Sequence, residues 1–483
     1  MHILSAAVMC TAYSFKDVDL LLESLVTKQS FPGAVALVAN RSGLLYAAGI
    51  GAHTYAKGAT PMSIDATHFD VASLTKVTVT TTCAMLLYQW GDLKLETLVE
   101  HYLGSAFAAE DSRKSSMTVE HLMLHEAGWP PGPIPSYCEP SFACPETVHH
   151  RPEERELTFS CEPKAFGAVL TQKLDRLPGL KYVYSDLSMI TMMYIVGRIA
   201  RERTHVTPAQ LLPACAAATL GSPAADACYY EAFARVHIFS KISDAAAAAA
   251  APLPSTESGD GPEAFMGFRL PRALWPTAAP TWNDTKTGFP GECLVPYRER
   301  VLQGEVSDGN AYAIGGVSGH AGLFATAPQL HQLVHQLLFA PLTTDPTLPR
   351  DAIGNASAAD PLGKRAAELP AMSQPPAYSA IGVNATTVLR FTKVHNASKS
   401  TRALGWDTSR GPGTGSLCGN LSAQTFMHTG YTGTLICADR ETRGGLITIL
   451  LTNRVYPRAD DRSERAIHSA RQQFNNAVLH ALA

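Results

Sequence analysis

The strongest constraint on the fold of this chain is that its strand-like segments lie near its two ends. Residues 14–30 read as an amphipathic helix, with Val18, Leu21, Leu22 and Leu25 on one face, and Phe31-Pro32-Gly33 stops it. Residues 34–39 and 44–48 then flank a turn at Asn40-Arg41-Ser42-Gly43, the pattern of an antiparallel hairpin. Toward the other end, residues 425–428, 433–438 and 446–453 are apolar runs, the last two joined by a turn at Asp439-Arg440-Glu441-Thr442. A closing helix sets Ile467, Ala470, Phe474 and Val478 on one face. A hairpin and helix at the front, with strands and a helix at the back, imply one α/β layer built from both ends. The expected architecture is therefore an antiparallel sheet flanked by N- and C-terminal helices, with a mostly helical lobe inserted. In residues, one domain spans 14–483, its α/β part being 14–68 and 380–483 and its helical lobe about 69–340.

Within the lobe, a helix is expected from Ser73 to Trp90. Five threonines between Thr75 and Thr82 argue locally for strand, but Ala84, Leu86, Leu87 and Trp90 continue a buried helical pattern and Gly91 ends it. Further helices are expected at 93–103, 119–124, 166–174, 187–201 and 328–338. Residues 129–165, 204–262 and 341–377 read as insertions, the second alanine-rich and, at 245–251, of low complexity and expected to be a disordered surface segment.

Composition bounds the function. At 483 residues, 46% hydrophobic and 17% charged, the chain describes a globular protein, and a net charge of -3 argues against nucleic acid as a partner. No apolar run reaches the roughly 18–20 residues of a membrane-spanning helix. The ten cysteines form no CxxC pair, a pattern that favours buried free thiols in a reducing compartment, hence the cytoplasm over secretion. Cys138, Cys144 and Cys161, with His149 and His150 between them, suit a loop disulfide or a metal site, but their spacing fits no zinc pattern and no metal is assigned. Residues 3–12 are only weakly like a secretory signal. Six asparagines, Asn40, Asn283, Asn355, Asn384, Asn396 and Asn420, lie in Asn-x-Ser/Thr sequons, which matter only if the chain is secreted.

The chemistry-bearing stretch is Phe69-Asp70-Val71-Ala72-Ser73-Leu74-Thr75-Lys76. A serine and a lysine three apart at a helix start share one face, so that a buried lysine can take a proton from the serine. Such a nucleophile also needs a second proton-transfer group, oxyanion donors and a residue that holds the substrate. Tyr184-Ser185-Asp186, just before a helix, offers the first, although Asp186 would also serve as that helix's N-cap. His428-Thr429-Gly430-Tyr431 offers the others: His428 and Gly430 would face the site, the bare Gly430 leaving room for substrate along the strand, and the N–H groups of Ser73 and Tyr431 would form the oxyanion hole. His125 and His320 read as structural.

These three segments resemble the serine β-lactamase and penicillin-binding-protein-like family, especially its class C-like esterase and peptidase branch. Ser73-x-x-Lys76 matches the first motif, Tyr184-Ser185-Asp186 is similar to Tyr-x-Asn, and His428-Thr429-Gly430 is similar to Lys-Thr-Gly. The resemblance implies a serine hydrolase acting through an acyl-enzyme on an ester, a small amide or a D-amino-acid peptide. Ser73 would be the nucleophile, Lys76 and Tyr184 would share acid/base work, and His428 would stand in the lysine's place, while Asp186, Thr429, Gly430 and Tyr431 would contact substrate. No cofactor is implied. Asp186 for asparagine and His428 for lysine weaken the anchoring of a substrate carboxylate, which argues against β-lactam hydrolysis; His428 is expected to titrate near neutrality. The alternative function is a non-catalytic binding or assembly protein on the same fold, with which the retention of serine, lysine and tyrosine together is hard to reconcile.

Overall fold

The computed structural model describes residues 13–144, 158–215, 221–242, 265–285, 298–340 and 381–483. Helix α1 (Lys16–Thr27) leads into strands β1 (Gly33–Asn40) and β2 (Gly43–Gly51), and a two-residue strand, β3 (Phe69–Asp70), precedes the serine. The lobe follows as α2 (Thr82–Gln89), α3 (Val99–Leu103), α4 (Val119–Met123), α5 (Glu162–Thr171), α6 (Asp186–Glu202) and α7 (Pro223–His237). Then come β4 (Gly267–Phe268), α8 (Gly309–Ala313), β5 (Leu323–Ala325), α9 (Ala327–Leu338) and α10 (Ala385–Thr392). The chain returns to the sheet with β6 (Asp407–Thr408), β7 (Thr425–Thr429), β8 (Leu435–Asp439) and β9 (Leu446–Thr452), and closes with α11 (Asp461–Leu482).

The two ends do share one sheet. Its order is β2-β1-β9-β8-β7-β6, every pair antiparallel, and the junction between front and back is β1 on β9, with Ala36 opposite Leu450. Alternate residues point to opposite faces. Ala34, Ala36 and Val38 pack with Val18, Leu22 and Leu25 of α1 and with Ile467, Ala470, Phe474 and Val478 of α11. Val35, Leu37 and Ala39 join the larger core on the other face, which runs through α9 into the lobe. A second small sheet, β3-β5-β4, sits inside that core and carries the segment leading to Ser73.

Three expectations need correction. First, the alanine-rich stretch 204–262 is not all surface insertion: α7 lies within it, and Ala224, Ala225, Ala227, Ala232 and Ala234 are buried. Alanine gave no apolar periodicity to read, yet its small side chain lets α7 lie close against α6. A Cβ at Gly197 would come within 1.8 Å of the Asp226 carbonyl oxygen. The Asp226 carboxylate meets Arg198 at 2.8 Å and Arg201 at 3.1 Å, so the buried charge is paired. Second, of residues 93–103 only Val99–Leu103 is α-helical.

Third, the cysteines are not mainly free thiols. Cys144 pairs with Cys161, Cys215 with Cys228 and Cys418 with Cys437, and Cys138 is disulfide-bonded as well. Cys83, buried in α2, is the free cysteine among the described residues. The Cys144–Cys161 bond is the loop disulfide that the cysteine cluster suggested, whereas the other two pairs join separate elements that only the fold brings together. Residues 3–12, His149, His150, the 245–251 run, the 341–377 insertion and Asn355 lie outside the described residues. No described helix is long and apolar enough to cross a membrane.

The α6–α7 contact gives a direct test. Gly197→Ala should lower stability by about 1–3 kcal/mol or more, because overpacking against backbone cannot relax by a rotamer change. Urea unfolding would measure it, and an unchanged midpoint would contradict the contact.

Candidate active site

Ser73 stands on a short, heavily fixed piece of backbone. Its strand, β3, pairs with β5, Asp70 opposite Phe324. The buried Asp70 carboxylate accepts from the Ala72 N–H at 2.9 Å and from the Ser307 N–H and hydroxyl at 2.7 Å each. Between them the chain turns at Ala72, with φ of 49°, a left-handed conformation that alanine rarely adopts. The other side of this segment is held by the turn after β7. Thr432 donates to the Asp70 carbonyl at 2.7 Å and Thr434 to the Val71 carbonyl at 3.0 Å. A Cβ at Gly430 would lie 2.3 Å from the same Val71 oxygen. Gly430 is thus needed for close approach of β7 to the nucleophile's own backbone.

The threonines after Lys76 explain how a β-branched run stays helical. Residues Lys76–Thr81 form a wide π turn that runs on into α2. Thr81 and Thr82 donate to the carbonyls five residues back, Lys76 and Val77, at 2.8 and 3.1 Å, and Thr80 donates to Gly319 at 2.6 Å. Threonine side chains therefore add hydrogen bonds to carbonyls of the turn itself and tie it to Gly319. Such turns recur at functional sites.

Lys76 is fully buried and its Nζ donates to three oxygens. They are Ser73 Oγ at 2.9 Å, the His320 carbonyl at 3.0 Å and Asp186 Oδ1 at 2.7 Å. Three donors meeting three acceptors is the pattern of an ammonium group. Burial pushes its pKa down, but the Asp186 carboxylate and the Tyr184 hydroxyl outweigh that and hold it above the ordinary lysine value. Asp186 is not the N-cap of α6. Ser185 holds that position and Asp186 is the first residue inside the helix, its carboxylate directed to Lys76. Tyr184 lies under the same ammonium, its ring centroid 5.0 Å from Nζ.

Two residues read as structural fix these partners. His125, with φ of 54°, accepts at Nδ1 from the Ser185 N–H at 3.1 Å, and its ring lies 4.7 Å from that of Tyr184. His320 presents its carbonyl to Lys76 while its ring bridges Ser318 at 2.7 Å and Asp308 at 3.0 Å.

His428 joins the site but not as expected. It is buried, and its Nδ1 sits 2.9 Å from the Thr429 carbonyl while Nε2 sits 3.1 Å from the Arg402 guanidinium. Arg402 can only donate, so Nε2 accepts, and Nδ1–H donates to Thr429. Burial, then Arg402 and Lys76, hold the His428 pKa well below the ordinary histidine value. The imidazole is neutral at physiological pH, contrary to the expectation that it titrates near neutrality. The fixed positive charge at this end of the site is Arg402, which sequence reading missed. Its guanidinium also meets the Tyr182 hydroxyl at 3.2 Å and Asp407 at 3.6 Å, and lies 5.1 Å from the Tyr184 ring centroid. No motif surrounds Arg402, and 26 residues separate it from His428.

Ser73, Lys76, Tyr184, Asp186 and His428 thus converge. Thr429 contributes its carbonyl to His428. Tyr431 packs by its ring against Trp282 and Leu302 under the Arg454 guanidinium, 4.5 Å from the ring centroid, so its side chain serves the fold.

The protonation state of His428 is testable. Its imidazole signals should not titrate between about pH 5 and 8, where an ordinary histidine does. A folded-state pKa below the unfolded value means that unfolding takes up a proton, so this group withdraws stability as pH falls through about 6.5. His428→Gln should therefore lose less stability than wild type between about pH 7 and 5. Equal acid sensitivity of the two proteins, with an imidazole that titrates normally, would contradict the assignment.

Known proteins resemble this chain in sequence and in fold. An N-acetylmuramyl-L-alanine amidase of Bacillus subtilis (strain 168) is 26% identical over 463 residues, covering 93% of this chain and 83% of the amidase. D-alanine carboxypeptidase AmpC of Burkholderia cenocepacia aligns with a TM-score of 0.53 at 13% identity, over 95% of this chain and 98% of its own. EstCE1, a hydrolase with promiscuous acyltransferase activity, aligns with a TM-score of 0.56 at 15% identity, over 95% and 98%. These structural likenesses establish the shared fold. The family model described as Beta-lactamase matches residues 18–472, from α1 into α11, and so takes in both halves of the sheet and the Ser73–Lys76 centre; this chain belongs to the β-lactamase family of serine hydrolases.

Proposed function

We propose that Ser73 forms an acyl-enzyme with a carbonyl substrate and that a D-amino-acid peptide is the preferred class, ahead of an ester or small amide. The observation that carries this reading is the 2.9 Å contact between Ser73 Oγ and the buried Lys76 ammonium, backed by Asp186 at 2.7 Å. The name of the D-alanine carboxypeptidase supports the D-amino-acid class, while that of the amidase supports amide cleavage only.

As Ser73 Oγ attacks, Lys76 Nζ first passes a proton to Asp186 and then turns the freed lone pair to Oγ to take the serine proton. Lys76 thereby regains its charge, and the carboxylate is the net acceptor. An asparagine at 186 could not do this. Tyr184 donates its hydroxyl proton to the leaving group and recovers one through Lys76. Water then reverses the sequence on the acyl-enzyme. The Ser73 N–H makes no hydrogen bond among the described residues and would stabilise the oxyanion together with the Tyr431 N–H. Arg402 offers a substrate carboxylate the permanent charge that His428 lacks, and Asp407 tempers it.

A serine-directed phosphonate should add one adduct to wild type and none to Ser73→Ala, read by intact mass; an unlabelled wild type would contradict the nucleophile. Ser73→Ala should also reduce kcat/KM on a D-alanyl peptide by about 10³-fold or more. Asp186→Asn should cost about 100-fold in kcat, the lower end of what positioned proton transfer contributes. An unchanged or higher kcat would remove Asp186 from the relay.

A further inference from the structure

The sequons and the disulfides, neither used by the hydrolase reading, meet on one explanation. We infer that this protein carries N-linked glycans at Asn40, Asn396 and Asn420 and is made in an oxidising, glycosylating compartment.

The argument begins with which atom of each asparagine the fold uses. A glycan attaches to Nδ2, so a modified asparagine must leave that nitrogen free in the folded chain while Oδ1 can still be used. Asn40 lies at the hairpin turn between β1 and β2, and its Oδ1 accepts from the Ser42 N–H at 2.8 Å. Asn396 Oδ1 accepts from the Ser398 N–H at 3.1 Å and from the Ser398 hydroxyl at 2.7 Å. Asn420 Oδ1 accepts from the Gly413 N–H at 3.0 Å. The same holds at the two other described sequons: Asn283 Oδ1 accepts from the Thr285 N–H and Asn384 Oδ1 from the Thr387 N–H. In all five, the hydrogen bonds among the described residues use the oxygen and leave Nδ2 unpaired.

Of the four asparagines outside sequons, Asn310 and Asn476 also accept through Oδ1, from the Tyr137 and Asn420 N–H groups, and the other two donate through Nδ2. Asn310, Asn453 and Asn475 are buried. Asn453 Nδ2 donates to the His53 and Pro280 carbonyls and Asn475 Nδ2 to the Arg471 carbonyl. Only Asn476 is exposed, and its Oδ1 receives the Asn420 N–H at 2.8 Å. All five described sequon asparagines thus keep Nδ2 out of the hydrogen bonds of the described residues, whereas Asn453 and Asn475 use theirs. Asn396 and Asn420 are exposed and Asn40 lies at a turn, so these three present the least obstruction. Asn283 is flanked by the buried Trp282 and Asp284, and Asn384 caps α10.

The cysteines point the same way independently. Three disulfides plus a bonded Cys138 leave Cys83 as the free thiol among the described residues. Disulfides of this density persist in compartments that oxidise thiols, the ones in which asparagine glycosylation takes place.

The test uses the protein isolated from the cells that make it. Enzymatic deglycosylation in heavy-oxygen water, followed by peptide mass spectrometry, should convert Asn40, Asn396 and Asn420 into labelled aspartate. Ser42→Ala and Ser398→Ala keep each asparagine but remove its sequon. Each should migrate faster on a gel by the step of one glycan, with the same phosphonate labelling at Ser73. Unmodified asparagine at all three sites in the native-source protein would overturn the inference, whatever the state of the cysteines. Because occupancy is read by mass, this outcome is independent of whether the hydrolase assignment holds.

Discussion

The site depends on one buried cation. Lys76 has no exposed surface, and a charge in that position is tolerable only if every proton on it finds an acceptor. The three acceptors come from three parts of the chain: Ser73 on its own helix, Asp186 at the start of α6 and His320 in the glycine-rich turn before β5. Seating the ammonium therefore fixes how the lobe, the small sheet and the nucleophile meet. The two non-glycine left-handed residues beside the site, Ala72 and His125, sit where that seating demands tight turns. Their backbone strain is the cost of placing a hydroxyl and a phenol around one nitrogen.

The charges around Lys76 form a graded set. Asp186 holds the ammonium from one side, while Arg402 with Asp407 supplies a second, partly neutralised cation at the far side of Tyr184. Burial, and then two cations near one imidazole, explain why His428 stays neutral, and its hydrogen bonds fix which nitrogen carries the proton. The third motif thus differs from its family pattern: its strand residue is a neutral imidazole, and the charge beside it belongs to an arginine from a separate loop.

Much of this was legible from sequence because the signals are local. The hairpin at one end, the strand runs at the other and the apolar face of α11 follow simple periodicities that tertiary contacts reinforce. Ser73, Lys76, Tyr184 and His428 stood out because their motifs hold fixed short spacings. What escaped were features defined only by long-range approach. Arg402 has no neighbouring signature, α7 hides in alanine-rich sequence, and Gly430 is required by a carbonyl more than 350 residues earlier in the chain. The Cys215–Cys228 and Cys418–Cys437 disulfides belong with these. Asp186 was an intermediate case, for the spacing marked it as part of a motif but could not say whether its carboxylate faced its own helix, a substrate or the lysine.

The central claim is that Lys76 is an ammonium in the resting enzyme, held so by Asp186. The most direct measurement is a pH titration of the Lys76 Nζ resonance in lysine-labelled protein. The account predicts a charged ammonium at neutral pH that remains so beyond the ordinary lysine value of 10.5. A Lys76 signal that turns to the neutral amine below that value would show that burial outweighs the carboxylate, and would contradict the account.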